Sequence, residues 1–141
     1  MPAWINEFHY DNTSTDTGEF VEVVLSPGTT AAGYSIVLYN GSNPAAGVTY
    51  GTAQLLTGAA ATTTDLGNGY TAVRIAYPTD GIQNGAADGI ALVQSGTTVV
   101  EFVSYEGGLV ASNGPAAGMT ATTITPSETG SALNTSIARI G

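Results

Sequence analysis

Apolar residues along this chain come in short runs, mostly alternating with polar ones, and each run is closed by Gly, Pro, Asn or Asp. A period of two marks a strand with one buried face, and no apolar stripe at helical spacing persists. Trp4–Tyr10 and Glu19–Leu25 read as strands flanking a polar loop, Asp11–Gly18, whose Asp, Asn, Ser, Thr and Gly are turn formers. In the first of these strands the alternation sets Ile5, Glu7 and His9 on one face and Trp4, Asn6, Phe8 and Tyr10 on the other. Gly33–Tyr39 and Val48–Leu56 follow as strands, separated by the loop Asn40–Gly47. Thr57–Asn68 reads as a loop. Tyr70–Tyr77 is a strand and Pro78–Asp88 a second polar loop. Gly89–Gln94 and Thr97–Tyr105 form a hairpin around Ser95-Gly96. Gly107–Thr123 reads as a long loop, and Ser136–Ile140 as a closing strand.

About eight strands at this spacing predict an all-β fold, an antiparallel sandwich of two packed sheets. Phe102 lies opposite Glu101 in its alternating run and is expected between the sheets. At 141 residues the chain fits a single domain over 1–141. A chain of that length buries roughly two-thirds of its unfolded surface and needs no covalent staple.

Composition narrows the function. There is no Cys, which excludes disulfides and thiolate metal sites. Charged residues are only 9%, and two basic side chains, Arg74 and Arg139, face 11 acids for a net charge of −9. Neutralising nucleic-acid phosphates takes several Lys or Arg on one face. Direct DNA or RNA binding without a metal is therefore not expected, and neither is attachment to an anionic membrane. No run approaches the ~18 consecutive apolar residues of a membrane-spanning helix. No secretory signal precedes Trp4, so a secreted protein is expected to have lost it by processing.

Candidate chemistry concentrates at the start of the chain. Glu7, Asp11, Asp16, Glu19 and Glu22 are five acids within 16 residues. Clustered carboxylates repel one another unless a counter-ion is present. Asp11, Asp16 and Glu19, with carbonyls of the same loop, offer the hard oxygens that Ca2+ takes, though not at EF-hand spacing. The competing reading is a solvated turn. Glu7 and Glu22, on the flanking strands, read either as a second layer around that ion or as acids paired with Arg74 or Arg139. The second polar loop, with Asp80 and Asp88, and the strand end Tyr105-Glu106 read as a possible ligand surface or as ordinary turn chemistry. His9, the lone imidazole, has no nucleophile signature such as GxSxG beside it and reads as a strand residue. Tyr39, Tyr50, Tyr70, Tyr77 and Tyr105 sit near strand ends, where rings can stack on sugar or simply pack.

Several blocks in order resemble one family. Ile5–Val24 (INEFHYDNTSTDTGEFVEVV) resembles the opening of bacterial lamin-tail domains, an I-N-E strand, a D-N…D-x-G loop and an E-F-V-E strand. Gly33–Asn43, Ala76–Val93, Val100–Gly107 and Ala111–Ile124 continue the resemblance, which is weakest over Gly47–Gly69. It implies an immunoglobulin-like β-sandwich acting as a non-catalytic binding or tethering module. In bacteria such domains are appended to secreted or surface enzymes, extracellular nucleases among them. Eukaryotic members form the tails of nuclear lamins and bind proteins and DNA, a habit the acidity here does not favour. The expectation is thus an extracellular or cell-surface accessory module, fused to an enzyme or surface protein, with protein or glycan as ligand and Ca2+ as cofactor. The alternatives are a carbohydrate-binding module using the strand-end Tyr residues and a small hydrolase using paired carboxylates.

Overall fold

The structure, a computed structural model, describes residues 2–11, 18–42, 46–83, 87–124 and 136–139. These residues form ten strands and no helix: β1 (Ala3–His9), β2 (Phe20–Leu25), β3 (Tyr34–Asn40), β4 (Val48–Leu55), β5 (Ala61–Gly67), β6 (Tyr70–Ala76), β7 (Asp88–Gln94), β8 (Thr98–Tyr105), β9 (Thr122–Ile124) and β10 (Ile137–Ala138). One sheet runs β10-β1-β2-β6-β5 and the other β4-β3-β7-β8-β9. All neighbours are antiparallel except β8 and β9, which are parallel.

The protein is an all-β sandwich. Val21, Val23, Val73 and Ile75 of the first sheet pack against Ile36, Ile90, Leu92 and Val103 of the second. Alternation along each strand sends one side chain in two into this core.

The expected count of about eight strands is corrected to ten. β5 falls in the expected loop Thr57–Asn68, and β9 falls largely within the expected loop Gly107–Thr123. The missed signal for β5 is Asn68-Gly69. Both residues have positive φ, 56° and 86°, which is the turn that returns β5 into β6. Ser95-Gly96 does the same for β7 and β8, at 55° and 72°.

The face assignment in β1 is corrected as well. Ile5 pairs with Val23 but Glu7 with Glu22, so Asn6 is an extra, bulged residue. Ala3 and Ile5 point into the core before the bulge, and Phe8 and Tyr10 after it. Single-residue alternation cannot anticipate that switch.

Phe102 is buried, but not between the sheets. It belongs to a second cluster with Val37, Tyr39, Ala91 and Val93 on the outer face of the second sheet. Leu109, Ala111, Ala116 and Ala121 cover that face. The segment 107–121 is therefore a third layer, pinned by the Tyr39 hydroxyl. That hydroxyl donates to the Asn113 carbonyl at 2.9 Å and accepts from the Ala116 amide at 3.0 Å.

Candidate functional site

β1, β3, β6 and β8 end, and β2 and β7 begin, at one end of the sandwich, where their loops are tied together by specific bonds. Glu19, at the head of β2, accepts a hydrogen bond through Oε1 from the Ile82 amide of the β6–β7 loop at 2.9 Å. The next residue of that loop, Gln83, receives two clamps. Its amide donates to the Tyr50 hydroxyl at 2.8 Å, and its carbonyl accepts from the Tyr105 hydroxyl at 2.6 Å. Tyr105 in turn lies 4.1 Å, centroid to centroid, from the ring of Tyr10 at the end of β1. The β3–β4 loop joins through Asp88, whose Oδ1 accepts from the Gly41 amide at 3.1 Å. Gly41 is required there, because a Cβ would meet the Ala87 carbonyl oxygen at 1.5 Å.

This end carries Asp11, Glu19, Asp80, Asp88 and Glu106. Asp11, Glu19 and Asp88 are buried. Asp80 and Glu106 both hold positive φ, 56° and 58°, a conformation that Asp tolerates better than most residues and that glycine usually supplies. Burial pushes the Asp88 carboxyl up to about 6, the Gly41 amide opposes the rise, and the charge of Glu106 adds to it. The Tyr50 and Tyr105 hydroxyls are likewise raised, chiefly by burial, and stay neutral at physiological pH.

Both arginines are engaged elsewhere. Arg74, on β6, lies 3.2 Å from Glu22 and 3.7 Å from Glu7 on the outer face of the first sheet. The bulge at Asn6 sets Glu7 opposite Glu22, and Glu22 pairs in register with Arg74. Asn6 donates to Glu22 at 3.0 Å, Ser136 donates to Glu7, and the Arg74 guanidinium stacks 3.8 Å over the Phe20 ring. Of the two sequence readings of Glu7 and Glu22, the pairing with Arg74 is the one seen. Arg139 pairs with Glu101, whose other oxygen accepts from the Ile5 amide across the sandwich at 2.7 Å.

Of the expected ion ligands, Asp11 and Glu19 flank the loop, and Asp16 lies outside the described residues. Among the described residues no group of three His, Asp or Glu side chains stands close enough to hold a metal ion. Of the expected ligand surface, Tyr105 is fully buried at 0% exposure and Asp88 nearly so at 1%. Both shape the loops from beneath and neither presents its side chain to a ligand. Tyr39 is also fully buried, so neither ring can stack on sugar. His9 is 3% exposed and lies 6.3 Å from the Phe20 ring. The sequence named Tyr50 only as a strand-end ring; its bond to Gln83 and the amides of Gln83 and Gly41 were missed, since long-range clamps leave no local pattern.

An apolar cavity of about 220 Å³ opens along a different edge, between Ile5, Phe8, Val103, Ile124 and Ile137. None of its described lining residues is acidic. No family model, curated protein or solved structure matches this chain.

Proposed function

We propose that this domain is a non-catalytic accessory module of a secreted or cell-surface protein, and that its loop end binds Ca2+ and presents a surface to protein or glycan. One observation carries the reading. Five carboxylates, Asp11, Glu19, Asp80, Asp88 and Glu106, gather at one end of the sandwich from the loops of both sheets, while the arginine ion pairs seen among the described residues are made with Glu7, Glu22 and Glu101. A cation is the simplest counter-charge for such an end, and oxygen donors suit calcium. Asp11 and Glu19, with Asp16, are the ligands of this proposal. The resemblance to bacterial lamin-tail domains supports the tethering role and an immunoglobulin-like classification of the sandwich.

The test is a calcium titration followed by amide NMR. Shifts confined to residues 9–19, 41, 80–88 and 106 support the site. No shifts at millimolar calcium, the range of extracellular modules, refute it. The electrostatics also predict that duplex DNA is not retained at physiological salt in chelator. Micromolar retention under those conditions would contradict that part of the reading.

A further inference from the structure

A sandwich has four sheet edges, and a free edge is a template for another strand unless it is blunted. Among the described residues three are blunted here. β10 is two residues long and β9 is three. β4 is broken where Ile36 pairs with Gln54 but Leu38 with Tyr50, around Gly51 at φ 67°. The fourth edge, β5, is different. It runs seven residues, Ala61 to Gly67, and residues 62–67 are exposed. Its register against β6 is unbroken from Ala61 to Asp65. It contains no Pro, Lys or Arg, and Thr62-Thr63-Thr64 are β-branched.

The bonding phase of this edge is fixed. The Ala76 amide donates to the Ala60 carbonyl, and antiparallel pairs alternate between bonded and non-bonded. Thr62 and Thr64 therefore turn their amides and carbonyls towards β6. Thr63 and Asp65 turn theirs outward.

We infer that β5 is a homodimerisation edge: two copies of this chain pair their β5 strands antiparallel about a twofold axis at Thr63, making one continuous ten-stranded sheet. In this register Thr63 exchanges two bonds with Thr63 of the second copy. The Asp65 amide reaches the Ala61 carbonyl of the second copy, and the converse bond follows by symmetry. On the outer face Thr62 falls opposite Thr64 of the second copy, a favourable cross-strand pair. Asp65 meets Ala61, never the other Asp65, so the register sets no like charges against each other. A seven-residue strand pair belongs with the small, weak interfaces. Each copy also carries a net charge of −9, so the dimer must tighten as salt screens that repulsion.

The test is sedimentation equilibrium of the chain from about 10 µM to about 1 mM, the weak end of specific association. The expected result is a mass rising from 14.1 kDa towards twice that value, further at 1 M than at 0.1 M salt. Thr63→Pro removes an outward amide and no bond to β6. It is expected to remain at the single-chain mass with the wild-type melting temperature. Thr63→Lys sets two ammonium groups across the axis and is expected to stay single as well, which covers a proline variant that fails to fold. A wild type that stays single at 1 mM in high salt overturns the inference, as does a dimer that both variants retain.

Discussion

The outer face of the first sheet and the loop end of the sandwich both collect carboxylates, and they treat them in opposite ways. On the sheet face, strand register aligns Glu7, Glu22 and Arg74 in one row, so each acid meets a cation half in solvent. At the loop end, Asp11, Glu19 and Asp88 are buried, and the arginine ion pairs of the described residues are made with other acids. Backbone amides of Ile82 and Gly41 partly substitute for a cation. Register, reset by the bulge at Asn6, therefore supplies charge balance on the sheet face. At the loop end the acids are instead held by backbone amides from neighbouring loops, and the proposed calcium would add to those contacts.

If that contrast is right, substitutions at the loop end must change stability more, in either direction, than those on the face. Glu19→Ala is expected to have the largest effect. It leaves the buried Ile82 amide without its acceptor and opens space at 1% exposure. A loss of about 3 kcal/mol is expected in urea denaturation. A loss under about 0.5 kcal/mol, the size of a surface change, would show that Glu19 does not hold the β6–β7 loop.

Asp88 must behave with the opposite sign. Its carboxyl titrates near 6 in the folded protein against 3.8 unfolded. The native state then holds the extra proton between about pH 4 and 6, so stability falls as pH rises through that window. Asp88→Asn keeps an acceptor for the Gly41 amide and removes this dependence. Above pH 6 it is expected to be more stable than wild type by about 3 kcal/mol in chelator. Wild type and variant with parallel stability–pH curves would contradict the burial argument. Excess calcium is expected to shrink the difference, since a nearby cation lowers the carboxyl again.

Arg74→Met is the mildest. The side chain is 46% exposed, so the pair contributes only about 0.2–1 kcal/mol and fades in high salt. A loss above about 2 kcal/mol that persists in 1 M salt would break the comparison from the other side.

The strands were legible because their alternation is regular: Tyr34–Asn40, Tyr70–Ala76 and Asp88–Gln94 lie within a residue of where periodicity puts them. The departures have one kind of cause. The bulge at Asn6 and the layer of 107–121 over Phe102 depend on partners distant in sequence. For the same reason the acids at the loop end could be named from composition, but not their clamps. Tyr50 meets Gln83 across 33 residues and Gly41 meets Asp88 across 47. Only Asn68-Gly69 was a local signal that periodicity alone passed over.

Thermal unfolding in calcium and in chelator separates a cation-bound loop end from a polar turn. A site with a dissociation constant of roughly 10⁻³ M, the weak end of extracellular modules, gains about 1.4 kcal/mol in 10 mM calcium. For a chain of this length that is a rise of several degrees. Wild type is expected to melt higher in calcium than in EDTA, magnesium to do less, and Asp16→Ala to abolish the difference. Superimposable wild-type melts in the two conditions would contradict the central claim that the loop end binds a cation.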